Sequence, residues 1–239
     1  MTFPAGGSLN DSVSEWDRLV YASRGGLRVR TPHEEWMVPP HRALWVPAGV
    51  RHRVEMKGPA SLRTLYFRPG LARRLPRECR VINVSALLRE LILYLARSAA
   101  LDARLATEGS AVAFLLEQLR AIEVVPLQLP LPKDPRALRA ARLLATGEGT
   151  RRTLEAVGRA VGASPRTLQR LFLAESGLTF EKWRQRARLI RSVELLSEGR
   201  KVTNVAFDVG YDSPSAFIAM FRRELGATPR RYLQGGRRT

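Results

Sequence analysis

The sequence predicts an α+β chain of two domains. A small N-terminal β-barrel followed by helices fills residues 1–123, and an all-α domain with two helix-turn-helix units fills residues 136–239. Three observations predict this. Short β-rich runs recur every 8–10 residues in the first third, a proline-rich stretch interrupts the chain at 124–135, and one local pattern occurs twice in the last third.

The first 10 residues, with Gly6-Gly7-Ser8 and no periodicity, read as a loose arm. Strand texture then runs from Arg18 to Phe67 through Leu19-Val20-Tyr21, Leu27 to Arg30, Glu35 to Val38, Leu44-Trp45-Val46, Arg53-Val54-Glu55 and Leu62 to Phe67. Turn residues at Gly25-Gly26, Thr31-Pro32, Pro39-Pro40, Pro47 to Gly49 and Gly58-Pro59 separate the runs, as in a small barrel or sandwich. Helical spacing takes over near Ser85, with Leu87, Leu88, Leu91, Ile92 and Leu95 in one segment and Val112, Leu115, Leu116 and Leu119 in the next. Such apolar stripes must be covered, either by the barrel or by a second copy of the chain in a homodimer. Val125 to Pro135 holds four prolines, which forbids a continuous helix and marks residues 124–135 as the linker.

In the repeat, Leu154 to Val157 leads to Val161-Gly162-Ala163-Ser164-Pro165, and 48 residues later Val202 to Ala206 leads to Val209-Gly210-Tyr211-Asp212-Ser213-Pro214. Each copy reads as a short helix, a glycine-centred turn and a second helix opening at Ser-Pro, because serine caps a helix start and proline suits its first turn. In the first copy Val157 and Val161 face Leu168, Leu171 and Phe172, with Gly158 where the helices cross. That arrangement projects Arg166, Gln169 and Arg170 outward. Arginine pairs bidentately with guanine O6/N7 and glutamine with adenine N6/N7 in the major groove, so these three are the candidate base readers. The second copy has one more turn residue, Ala206 at the crossing, and Val205, Val209, Phe217, Met220 and Phe221 inside. Its outer face, Ser215, Ala216, Ile218 and Ala219 followed by Arg222 and Arg223, is suited to gripping phosphates more than to reading bases. Ser164, Thr167 and Ser213 join those two arginines as backbone-contact candidates. Phe180 to Leu196 forms an amphipathic helix between the copies, a spacer that would hold the two readers about 34 Å apart, one duplex turn.

Charge agrees with a polyanionic partner. The chain holds 40 Lys+Arg against 22 Asp+Glu, and residues 133–239 alone hold 22 against 10. Cys79 is the only cysteine, which excludes an intrachain disulfide, and neither a signal-like segment nor an apolar run near 20 residues is present. The expectation is a soluble, cytoplasmic protein with double-stranded DNA as partner and no membrane association.

Residues 136–233 resemble the DNA-binding domain of the AraC/XylS family of bacterial transcription regulators. The resemblance lies in Leu154 to Phe172, the helix ending Val193 to Leu196, Val205 to Tyr211, and the closing Phe217 through Arg222-Arg223-Glu224-Leu225-Gly226-Ala227-Thr228-Pro229 to Tyr232. It implies a seven-helix domain acting at promoters, with RNA polymerase as a further partner. It places Arg166, Gln169 and Arg170 where members read bases, and Ser215 and Ala219 on the second reading face, where some members carry arginine in place of Ala219. The stretch Trp36 to His52 is similar to the cupin-type sensor of many such regulators. That likeness implies a small-molecule effector pocket, with Trp36, Trp45, His52 and Tyr66 as its candidate lining.

Two other function classes compete. Cupin-type metal-dependent enzymes carry a His-x-His pair on an early strand, whereas Ser12 to Trp16 has no histidine and only His33, His41 and His52 exist as candidate ligands. A DNA-repair alkyltransferase carrying the same DNA-binding module needs a reactive cysteine in a Pro-Cys-His-type setting, and Cys79 lies instead in Arg77-Glu78-Cys79-Arg80. No catalytic residues, metal or cofactor are therefore expected. A nonspecific architectural DNA binder is the remaining alternative, and the base-reading face of the first copy argues against it.

Overall fold

The computed structural model describes residues 2–3, 8–56, 59–98, 100, 105–120, 127–146 and 151–233. In chain order the strands of the first part are β1 (Thr2–Phe3), β2 (Ser8–Ser12), β3 (Asp17–Arg24), β4 (Leu27–Arg30), β5 (Glu34–Val38), β6 (Arg42–Val46), β7 (His52–Met56), β8 (Ala60–Phe67) and β9 (Arg80–Asn83). Helices α1 (Ala86–Leu95) and α2 (Ala106–Arg120) follow, then a short strand β10 (Gln128–Pro130). The remainder is helical: α3 (Pro135–Ala145), α4 (Leu154–Val161), α5 (Pro165–Ser176), α6 (Phe180–Ser197), α7 (Val202–Asp208), α8 (Pro214–Leu225) and α9 (Pro229–Leu233). The chain forms two compact units, one of residues 1–29, 38–125 and 233–239 and the other of residues 30–37 and 126–232. The segment Pro4 to Gly7, part of the expected loose arm, lies outside the described residues.

The first unit is built on an antiparallel sheet of order β1-β8-β3-β6-β9. Leu19 of β3 lies opposite Trp45 of β6 and Leu65 of β8, so these three share a face. Their neighbours in sequence, among them Arg18 and Tyr66, point to the other face. The helices cover the Trp45 face. Leu88, Ile92 and Leu95 of α1 and Val112, Leu115, Leu116 and Leu119 of α2 form one cluster with Leu19, Tyr21, Trp45, Phe67 and Ile82. Fully burying each such side chain stabilises by about 1.5–3 kcal/mol, so the stripes are satisfied within one chain. Ser85 fixes the start of α1 by accepting from the Leu88 amide at 3.1 Å. Leu87, expected on the inner stripe, is 59% exposed, because the face chosen by Leu88, Ile92 and Leu95 turns it away. Strands β4, β7 and β2 lie side by side in that order.

The second unit opens with a strand pair where a linker is expected. Gln128 of β10 lies opposite Trp36 of β5, and Pro130 lies opposite Glu34, in antiparallel register. Met37 donates its amide to the Leu127 carbonyl at 3.1 Å, and the Gln128 and Glu34 side chains hydrogen-bond. β10 ends the strand order, and an edge strand tolerates Pro130, which has no N–H to offer a neighbour. Residues 124–126 of the expected linker lie outside the described residues.

Seven described helices, α3 to α9, follow in this unit, and α6 runs through their core. Trp183, Leu189, Ile190, Val193 and Leu196 are all buried, as the amphipathic pattern requires. Phe172 of α5 packs edge-on against Phe180 and Trp183 of α6, with ring centroids 5.1 and 5.3 Å away. The Trp183 indole N–H donates to the Pro130 carbonyl at 2.8 Å, so burying this ring leaves no polar atom unpaired. No described helix is long and apolar enough to cross a membrane.

Candidate nucleic-acid interface and effector site

The first helix-turn-helix unit consists of α4 and α5. Thr153 caps α4 by accepting from the Ala156 amide at 3.2 Å, and Gly162 ends it in the left-handed region at φ +71°. The Ala163 amide then bonds the Gly158 carbonyl at 2.9 Å, which folds the turn tightly back on α4. A Cβ on Gly158 would lie 2.5 Å from the Ala163 carbonyl oxygen, so only glycine permits this turn. Ser164 opens α5 by accepting from the Thr167 amide at 3.1 Å, and the two hydroxyls also bond each other at 2.9 Å. Val157, Val161, Leu168, Leu171 and Phe172 are buried between the helices, while Arg166, Gln169 and Arg170 are exposed on the opposite side of α5. The three base-reading candidates therefore share one solvent face.

The second unit, α7 and α8, repeats the plan with different side chains. Tyr211 donates to the Ala206 carbonyl at 2.9 Å, the counterpart of the Ala163 bond, and Gly210 has φ +86°. Ser213 caps α8 through the Ala216 amide at 3.2 Å. Val205, Ala206, Val209, Phe217, Met220 and Phe221 are buried. Ser215, Ala216 and Ala219 are exposed, whereas Ile218, expected with them, is half-buried. Arg222 and Arg223 are exposed at the end of α8, and Arg223 also pairs with Glu224 at 3.1 Å, a surface bond worth little in water.

Both units are pinned to one stretch of α6. Arg184 lies over the Phe180 ring and donates to the Arg152 carbonyl at 3.0 Å, just ahead of α4. Gln185 donates to Glu224 of α8 at 3.0 Å, and Arg188 lies over the Tyr211 ring in the second turn, 5.9 Å from its centre. Burial holds the Arg188 guanidinium below its ordinary pKa, with the Arg184 charge adding to the effect, and burial also raises the Tyr211 phenol. Arg151 donates directly from the first unit to the Phe207 carbonyl of α7 at 3.2 Å. The sequence pattern places the α6 spacer but not these side-chain contacts, although the arginine pair just before the Thr153 cap was a visible signal.

Two family models match the chain: a helix-turn-helix domain over residues 157–235 and an AraC-like ligand binding domain over residues 18–125. The HTH-type transcriptional regulator NimR of Escherichia coli is 34% identical over 216 residues, covering 90% of this chain and 79% of that protein. This chain belongs to the AraC/XylS family of transcriptional regulators. Its relatives also include the HTH-type transcriptional regulator RipA of Corynebacterium glutamicum, 35% identical over 44% of this chain and 32% of that protein. Among solved structures, ToxT from Vibrio cholerae covers 98% of this chain and 96% of its own at 12% identity and a TM-score of 0.41. The bifunctional transcriptional activator/DNA repair enzyme Ada of Escherichia coli is 36% identical over 84 residues, in the helix-turn-helix region.

The ligand-binding half of this AraC/XylS regulator corrects one expectation. Trp45 and Tyr66 cannot line one pocket, because they stand on opposite faces of the same sheet. Trp45 belongs to the core under α1 and α2, and its indole N–H donates to the Pro76 carbonyl at 2.9 Å. Trp36 is buried in β5 opposite Gln128 and groups with the second unit. His52 and Tyr66 do meet at Arg18, whose guanidinium lies 3.4 Å from His52 Nε2 and 5.4 Å from the Tyr66 ring centre. His52 Nδ1 lies 2.9 Å from the Val50 carbonyl, which assigns it the proton and leaves Nε2 as acceptor. A cation on Nε2 would displace Arg18, so this histidine does not fit a metal ligand. His33 is exposed in a turn, and His41 holds a left-handed backbone at φ +62°, its imidazole pKa lowered by burial and by the Arg89 and Arg42 charges. Cys79, the one thiol, is buried.

Proposed function

We propose that this regulator reads promoter duplex DNA through Arg166, Gln169 and Arg170 of α5 while α8 grips the backbone through Ser213, Arg222 and Arg223. The observation that carries the reading is the shared solvent face of the three α5 side chains, on a helix whose other side is locked to α4 at Gly158. Each bidentate base contact contributes roughly 1–3 kcal/mol of discrimination, and Ser164 and Thr167 add phosphate contacts at the start of α5. Ser215 and Ala219 present too little hydrogen-bonding capacity to match them, which leaves α8 the positioning role.

The protein acts in the cytoplasm as a binding protein without catalysis. RNA polymerase is its partner at the promoter, and a small molecule held by the ligand-binding half adjusts its action. The test is to map the genomic fragments that the purified full-length chain protects and to measure their affinity against random duplex at matched salt. A specific excess of about a thousandfold or more supports the reading. Equal affinity for both overturns it in favour of an architectural DNA binder. Protected sites of one half-site or two report whether one copy or a homodimer binds.

A further inference from the structure

The ligand-binding half contains a cavity on the helix-covered side of its sheet, away from the Arg18–His52–Tyr66 group. Its volume is about 280 Å³, near the lower bound of small-molecule sites. Trp45, Ile82 and Leu119 give it an apolar floor, and Arg74, Arg80 and Arg120 stand around it. Strand register explains the assembly: Trp45 lies opposite Arg80, and Ala43 lies opposite Ile82, so β9 presents Arg80 and Ile82 on the face that carries Trp45. The only donor of the indole is spent on the Pro76 carbonyl, which leaves its ring as a flat apolar wall.

From this geometry we infer that the cavity is the effector site, and that the effector is a small organic anion with a carboxylate on an aromatic or branched apolar body. The inference rests on reading residues 18–125 as the effector-holding half. Size fits a single ring or a short branched chain, and the charge selects an acid. Residues 68–80 carry five arginines against one glutamate. Arg74 is exposed and has no hydrogen-bond or ion-pair partner among the described residues. Glu78 takes Arg80, and Glu117 takes one terminal nitrogen of Arg120, in bonds open to solvent that a bound carboxylate can share or replace at little cost. Guanidinium groups suit this role because their planar fork matches both oxygens of a carboxylate. An occupant would bridge the loop before β9 to Leu119 and Arg120, the last turn of α2.

Calorimetric titration of the full-length protein tests this with benzoate and phenylacetate, with benzamide as the uncharged counterpart and inorganic phosphate as the anion without an apolar body. Benzoate or phenylacetate binds, and benzamide and phosphate bind at least about tenfold more weakly. Arg74→Gln and Arg120→Gln each weaken the acid by about tenfold, and Arg97→Gln, outside the cavity, leaves it unchanged. Melting temperatures of the variants verify that they fold. Absence of binding by both acids at millimolar concentration, benzamide or phosphate binding as tightly as the acids, or indifference to both substitutions overturns the inference. Duplex titrations of the same samples separate the two readings: acid binding that fails while promoter binding persists removes only the cavity assignment, whereas promoter binding that fails in the wild type removes the DNA-reading proposal.

Discussion

The two helix-turn-helix units share a backbone plan and differ in what they show to solvent. In both, the amide after the turn glycine reaches back five residues, Ala163 to Gly158 and Tyr211 to Ala206, and a serine opens the next helix. The difference begins at the crossing. Gly158 has no room for a Cβ, while Ala206 carries one, and the turn of the second unit, longer by one residue, has Tyr211-Asp212 before its capping serine where the first has Ala163. Outside, α5 offers two guanidiniums and an amide where α8 offers a hydroxyl and methyl groups. One fold thus supplies a reader and a clamp, and the division lies in side chains that contribute little to folding.

The sharpest way to break this comparison is to erase the reader. Replacing Arg166, Gln169 and Arg170 together by alanine removes two or three base contacts, about 3–6 kcal/mol, and lowers affinity for a protected genomic site by about a hundredfold or more. Random duplex loses far less. Fluorescence anisotropy at fixed salt measures both, and Ser215→Ala in the second unit leaves the ratio nearly unchanged. An equal loss of discrimination from Ser215→Ala would make the units equivalent readers.

The crossing residues give the next largest effect. Gly158→Ala drives a methyl into a backbone carbonyl that cannot rotate away, and overpacking of this kind costs about 1–3 kcal/mol. Ala206→Gly removes a buried methyl that the second unit accommodates and costs about 1–2 kcal/mol, from helix propensity together with the lost apolar burial. Urea denaturation followed by circular dichroism compares them. No loss in Gly158→Ala would show that the first turn has the same clearance for a Cβ as the second. The clamp predicts a smaller and nonspecific change: Arg222→Ala weakens promoter and random duplex alike and lowers the salt slope by about 0.9 for its one phosphate. A selective loss on the promoter would make Arg222 a reader instead.

Local signals carried much of this molecule into view from the sequence, and long-range pairing carried the rest out of view. Ser164 and Ser213 cap the helices that they were expected to open, Ser85 caps the helix whose spacing begins near it, and the stripes of α2 and α6 are buried as their periodicity implies. Prolines near residue 130 signalled a linker because nothing local reveals a partner strand more than 90 residues upstream. The effector residues failed for a related reason. Trp45 and Tyr66 both read as barrel lining until the register of β3, β6 and β8 placed them on opposite faces. The arginines around the cavity come from a loop, a strand and a helix end, so only the fold brings them together.

The finest distinction concerns the caps. Ser164→Ala and Ser213→Ala each delete one side-chain acceptor at a helix start, and each costs about 1 kcal/mol of stability. Ser164 has a second bond, to the Thr167 hydroxyl, but that hydroxyl is half-exposed and turns to water when the serine is lost, so the two costs differ by only a few tenths of a kcal/mol. Ser164→Asn separates capping from DNA contact. Asparagine caps as well as serine, so urea denaturation finds stability near that of the wild type, while the bulkier amide alters the approach of a phosphate to the start of α5. Reduced duplex affinity with unchanged stability assigns Ser164 to the backbone contact. Unchanged affinity would confine Ser164 to capping and move the grip on the backbone to α8, sharpening the contrast between a unit that reads and a unit that holds.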